Sequence, residues 1–181
     1  MSVARAGAQA PEKVLTVCLG NICRSPTAEA ALREAAAIAG LPLQVDSAGT
    51  GDWHVGQPPN AQMRAAADAV DLELRGTAQQ VTPELLAWAD LVLVMDRSNL
   101  ADVTQLAERA GVHTPVVLFR QFDPEPPGSR SRRYGTDEVP DPYGGAPEDF
   151  REVVNICRRT ARSLVANWLN DRRGDAKRAP Q

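Results

Sequence analysis

The sequence predicts an α/β fold: a three-layer sandwich in which a four-stranded parallel sheet lies between helices on both faces, Rossmann-like in its alternation. Three observations carry this. Short, mostly apolar runs at Lys13 to Cys18, Leu43 to Asp46, Leu91 to Met95 and Pro115 to Phe119 have the length of buried strands. Helical periods separate them, opened by signals such as Ser25-Pro26 and Thr82-Pro83-Glu84 and stopped by Gly40 with Pro42. The chain has 181 residues and 43% hydrophobic content, enough for one domain with a core.

In chain order, Met1 to Pro11 has no hydrophobic period, and residues 1–12 read as a disordered lead. It carries Arg5 but no apolar h-region, so it does not read as a secretory signal. After the first strand, Ser25 reads as an N-cap with Pro26 at the first helical position, and the alanine-rich helix runs to Ala39. Ser47 to His54 is a glycine-rich loop. Pro58 and Pro59 precede a helix through Leu74, with Met63, Ala66, Ala67 and Val70 on one face. Asp96 to Asn99 turns into a helix ending near Ala110. Arg120 to Gly145 is proline-rich, carries Arg130, Arg132 and Arg133, and reads as a long surface loop. Pro147 to Asn170 is an amphipathic helix whose apolar face holds Phe150, Val153, Val154, Cys157, Ala161, Leu164, Val165 and Trp168. The domain therefore spans residues 13–170, and residues 171–181 form a polar tail.

Charge and cysteine content narrow the function. Twenty Lys and Arg against 23 Asp and Glu leave a net charge of −3, which argues against a nucleic-acid partner or an anionic-membrane surface. No apolar run reaches the length of a membrane span. An odd set of three cysteines does not read as a disulfide scaffold and fits a reducing, cytoplasmic setting. The only two histidines, His54 and His113, are far apart, and no metal or other cofactor is implied.

The chemistry concentrates at Cys18-Leu19-Gly20-Asn21-Ile22-Cys23-Arg24-Ser25. A tight loop between a strand and a helix N-terminus turns backbone amides toward an anion. Arg24 adds a planar two-pronged donor, and the same positive environment favours a thiolate at Cys18. Asn21 tolerates a left-handed conformation, and the Ser25 hydroxyl is within loop reach of the Cys18 sulfur. The run resembles the signature of the low-molecular-weight protein tyrosine phosphatases (Cys, five residues, Arg, then Ser or Thr), in particular of bacterial, actinobacterial-like members. The resemblance spans roughly Lys13 to Leu169.

That resemblance implies a two-step mechanism with Cys18 as nucleophile, Leu19 to Arg24 as phosphate cradle, and Asn21, Ser25 and Ser47 in support. It makes Asp141, in Asp141-Pro142-Tyr143, the general acid and then base. Trp53 and Tyr143 look like the aromatic walls that admit phosphotyrosine, with His54 at the rim. Cys23 is the second thiol of the loop, able to pair with Cys18 on oxidation. The partners are phosphotyrosine proteins, and the chain is a monomer or weak dimer. Two features depart from the family: Arg75-Gly76 stands where many relatives carry a His, and the Arg-rich stretch before Asp141 is an insertion. Three other readings stay open. Arginine-phosphate hydrolysis uses relatives with Thr where Ile22 stands, arsenate reduction needs a cysteine relay for which only Cys157 remains, and a binding module needs no nucleophile.

Overall fold

The computed structural model describes residues 10–125 and 137–176. The elements are β1 (Lys13–Cys18), α1 (Arg24–Ala39), β2 (Gln44–Gly49), α2 (Ala61–Asp68), α3 (Pro83–Trp88), β3 (Leu91–Val94), α4 (Arg97–Ala110), β4 (Val116–Leu118), a 3-10 turn (Phe119–Phe122) and α5 (Pro147–Ala176). The four strands are parallel in the order β2-β1-β3-β4. Residues 126–136, and with them Arg130, Arg132 and Arg133, lie outside the described residues.

Strand alternation builds the layers. Val14 and Cys18 of β1, with Leu91 and Leu93 of β3, join the core shared with α1, α2 and α5. Leu15 and Val17, with Val92 and Val94, turn to the opposite core. That second core takes Leu86 of α3 together with Val103 and Ala107 of α4. Period-two alternation in strands buried on both faces therefore gives each face its own core. It also sends Cys18, the last residue of a central strand, to the α1 and α5 side. The predicted apolar face of α5 is buried along its length, from Phe150 (0% exposed) to Trp168 (7%).

The boundaries differ from expectation where tertiary contacts override local signals. Strand β2 continues through Ser47, Ala48 and Gly49, expected to be loop, because pairing with β1 extends to Cys18 opposite Gly49. The helix expected through Leu74 stops at Asp68. There Leu72 N–H closes onto Ala67 C=O at 3.0 Å, and Asp71 takes a left-handed φ of 57°. Helix α5 continues past Asn170 to Ala176. The chain is also organised ahead of Lys13: Ala10 is 5% exposed in the core, and the Glu12 and Lys13 N–H groups both donate to Asp90 Oδ2 at 2.9 Å. No helix among the described residues is long and apolar enough to cross a membrane.

Candidate active site

The loop from Cys18 to Arg24 is tied from beneath before any ligand arrives. Cys18 Sγ accepts the Asn21 N–H at 3.3 Å and lies 3.1 Å from Ser25 Oγ. Asn21 is 3% exposed and left-handed at φ 54°. Its side-chain oxygen accepts the Gln79 N–H at 2.9 Å, and a backbone N–H can only donate, so the other end of the amide is the nitrogen. That nitrogen donates to Ser25 Oγ at 2.9 Å and to Ser47 Oγ at 3.0 Å. Both hydroxyls must then send their own protons onward. Ser47 donates to Glu29 Oε2 at 2.6 Å. Ser25 is left facing the Cys18 sulfur and the Ala48 carbonyl, the latter at 3.2 Å.

This corrects the N-cap reading of Ser25. Helix α1 begins at Arg24 with Cys23 in the cap position and no side-chain cap bond. The Ser25 hydroxyl is already committed beneath the loop. Asn21 likewise does not line the cavity; it sits behind the loop and holds its shape. Glu29, which looks in sequence like an ordinary helix charge, ends the chain of hydrogen bonds. It is 8% exposed and also takes a hydrogen bond from Arg33. Burial pushes its carboxyl above the ordinary value, against the Ser47 hydrogen bond and the Arg33 charge.

Above this floor is a cavity of about 180 Å³ lined by Cys18, Leu19, Gly20, Ile22, Cys23, Arg24, Trp53, His54, Asp141 and Tyr143. Sequence-predicted residues from three separate segments thus converge on one mouth, as the carboxyl ends of parallel strands favour. Arg24 is 3% exposed. Its Nη1 donates to Asp96 Oδ2 at 2.6 Å and to the Val139 carbonyl at 3.4 Å, and its Nη2 to Asp141 Oδ2 at 3.1 Å. Burial works against its charge, but Cys18, Asp141 and Asp96 together outweigh it and hold the guanidinium above its ordinary pKa. Asp96 does two jobs with one carboxylate, because its other oxygen caps α4 by accepting the Asn99 N–H at 2.7 Å. Asp141 also accepts the Tyr143 N–H at 3.2 Å, a local turn that presents the carboxylate to Arg24.

The rim is aromatic. Trp53 is 67% exposed and Tyr143 63%, so Trp53 is not packed under its loop. Its ring lies on Gly51: a Cβ built there would fall 1.8 Å from ring Cζ3. The His54 ring lies similarly over Gly20, where a Cβ would be 3.1 Å from Cδ2. Its Nδ1 pairs with Gln57 Oε1 at 2.9 Å, and its ring centroid is 6.2 Å from that of Tyr143. Cys23 is buried on the cavity wall. Burial, then the Cys18 and Asp141 charges, push its thiol up to about 12, with Arg24 opposing. Cys157 is fully buried on α5, and burial followed by the Cys18 charge raises its thiol well above the ordinary value. A neutral, enclosed thiol is a poor member of an arsenate-reducing relay.

A family model described as low molecular weight phosphotyrosine protein phosphatase matches residues 13–173. The low molecular weight protein-tyrosine phosphatase A of Mycobacterium bovis is 37% identical over 164 residues, covering 90% of this chain and 94% of the relative. Among solved structures, the protein tyrosine phosphatase of Entamoeba histolytica, with Hepes in its active site, superposes with a TM-score of 0.75 at 28% identity, over 88% of this chain and 98% of that one. A serine mutant of the YwlE arginine phosphatase, phosphorylated at that serine, superposes at 0.74 with 26% identity, over 89% and 98%. The chain belongs to the low-molecular-weight protein tyrosine phosphatase family, a hydrolase family, and Cys18 and Arg24 fit its phosphate loop.

Proposed function

We propose that the protein hydrolyses phosphotyrosine in protein substrates through a cysteinyl-phosphate intermediate, in a catalytic unit spanning residues 13–170. The single observation that carries this is the placement of Cys18 Sγ on the floor of a cavity whose Arg24 guanidinium is shared with Asp141. Leu19, Gly20, Ile22, Cys23 and Arg24 bind the phosphoryl oxygens, with Asn21 holding the loop from behind and Arg24 exchanging its hydrogen bond to Asp141 for one to the ligand while Asp96 keeps its orientation. The Cys18 thiolate attacks phosphorus and the P–O bond to the aryl group breaks. Asp141 delivers its proton to the leaving phenolate. Water then attacks phosphorus, Asp141 takes the water's proton, and the S–P bond breaks to release phosphate. Ser25, held by the Asn21 amide, donates to the sulfur while it is anionic or leaving.

Trp53 and Tyr143 wall an aryl ring on its way to the sulfur, and a short alkyl phosphate such as phosphoserine gains nothing from them. Ile22, apolar and 7% exposed on the cavity wall, favours the same substrate over phosphoarginine. The arginine-phosphate reading remains a second one because of the likeness to YwlE. Paired phosphotyrosine and phosphoarginine peptides separate the two, and faster turnover of phosphoarginine would reverse our order. Cys23 is assigned a protective role. Once Cys18 is oxidised to a sulfenic acid its negative charge is gone, the Cys23 thiol attacks the sulfur, and water leaves as the disulfide forms. Peptide mass mapping after mild peroxide is expected to show the Cys18–Cys23 link, and its absence would leave Cys23 as packing. We further assign a cytoplasmic setting, a monomer or weak dimer, and no nucleic-acid or membrane partner.

The direct test of the nucleophile is Cys18→Ser. The variant is expected to keep the wild-type melting temperature and to lose aryl-phosphate turnover by at least about a thousandfold. Turnover at the wild-type rate would remove Cys18 from the mechanism.

A further inference from the structure

Arg120 is a buried arginine that the mechanism above does not use. It sits in the 3-10 turn after β4, with its side chain 6% exposed. Among the described residues its one hydrogen-bond partner is a backbone group of the acid loop: Nη1 donates to the Glu138 carbonyl at 2.8 Å, across eighteen residues of sequence. Its Nε has no hydrogen-bond partner among the described residues, and Asp123 Oδ2 stands 3.5 Å away. Asp123 is itself occupied by a two-pronged bond to Arg159 at 2.6 and 2.7 Å. A buried, incompletely satisfied cation is destabilising on its own account, so its contact with the loop calls for a reason.

The neighbours supply one. Glu138 Oε1 accepts the Arg97 N–H at the start of α4 at 2.9 Å, and Asp137 Oδ2 accepts from Arg97 Nη2 at 2.7 Å. Val139 N–H continues from the end of β3 by donating to the Met95 carbonyl at 2.8 Å, and its side chain is fully buried. The next carbonyl, that of Val139, takes Arg24 Nη1 at 3.4 Å. Consecutive carbonyls of the stem, Glu138 and Val139, are thus gripped by two guanidiniums, one outside the cavity and one inside it. Asp141 follows two residues later.

We propose that Arg120 is a positioning residue that sets the acid loop so that Asp141 reaches the leaving oxygen; the proposal rests on Asp141 being the general acid. Arg120 touches no reacting atom. It fixes the stem at Glu138, and Arg24, Val139 and Asp141 keep their register from that point. Loss of the tether leaves the phosphate cradle intact and impairs proton delivery, which matters most when the leaving phenolate is basic.

The test compares kcat/KM for phenyl phosphate, a poor leaving group, with that for dinitrophenyl phosphate, a good one, in wild type, Arg120→Met and Asp141→Asn. The quotient of the first over the second is expected to fall about tenfold in Arg120→Met, short of the general-acid loss in Asp141→Asn. The inhibition constant of inorganic phosphate should stay near wild type. If Arg120→Met does not fold, Arg120→Lys keeps the charge beside Asp123 with a shorter reach to Glu138, and the same quotient is read on it. A normal quotient in the Arg120 variant with a lowered one in Asp141→Asn overturns the tether and spares the acid assignment. A normal quotient in Asp141→Asn overturns the acid assignment and the tether with it. Equal loss on both substrates together with weaker phosphate inhibition makes Arg120 structural only, which also overturns the proposal.

Discussion

The phosphate loop and the acid loop meet at one guanidinium, Arg24, but they are held in opposite ways. Cys18 to Arg24 is supported from below by buried side chains of its own neighbourhood: Asn21, Ser25, Ser47 and Glu29 form a chain of hydrogen bonds whose direction is fixed by the Gln79 N–H. The segment from Asp137 to Tyr143 rests on backbone contacts and arginines reaching in from other elements, and its aromatic tip, Tyr143, is exposed. A cradle that must meet a tetrahedral anion at fixed angles gains from being built in advance. A loop that must admit the substrate and then deliver a proton is anchored at its stem and left open at its tip.

The largest way to break this contrast is to undo the floor. Asn21→Ala removes the donor to both hydroxyls and leaves a Cβ-bearing residue at φ 54°. We expect kcat/KM to fall on the order of a hundredfold for good and poor leaving groups alike, the scale of losing a preorganised donor. Phosphate should inhibit more weakly. A selective loss on poor leaving groups would move the defect to the acid loop and blur the distinction.

A smaller effect belongs to the mouth. Trp53→Ala should raise KM for phosphotyrosine by about tenfold, the factor that ~1.4 kcal/mol of lost stacking gives, with phosphate inhibition unchanged. Gly51→Ala should act in the same direction, because its Cβ displaces the Trp53 ring. Equal effects on phosphotyrosine and on phosphate would rule out stacking.

Much of this contrast was legible in the sequence, for a physical reason. The cradle is local: Cys18, Asn21, Arg24 and Ser25 lie within one strand-to-helix turn, so residue type and spacing alone define it. The sheet was legible too, since strands buried on both faces must be short apolar runs. Asp141 is 117 residues from Arg24 and was found only through its Asp-Pro-aromatic resemblance. Asp96 was read as the turn into a helix, and its grip on Arg24 was not foreseen, because a capping Asp before a helix is explained without it. Glu29 and Arg120 were not singled out at all. Each reads as an ordinary surface charge, and only packing shows that one ends the hydrogen-bond chain under the loop and the other reaches the acid-loop stem.

The smallest expected effect concerns that buried Glu29. Its folded-state pKa is raised above 4.5, so the folded protein holds a proton more tightly than the unfolded chain there. The resulting stability is present below pH 4.5 and is lost as pH rises through the folded-state value. Glu29→Gln lacks this dependence. The melting-temperature difference, wild type minus variant, should therefore drift downward by a few degrees at most from acid to neutral pH. An upward drift would mean that Ser47 and Arg33 outweigh burial.

The central claim is that the Cys18 sulfur takes the phosphoryl group. Rapid acid quench of the enzyme during turnover of radiolabelled aryl phosphate, followed by peptide mapping, tests it without any substitution. The account predicts label bound through sulfur on the peptide carrying Cys18, appearing within the first turnover and disappearing as substrate is exhausted. Label on another residue, or steady turnover with no labelled protein at any quench time, would contradict it.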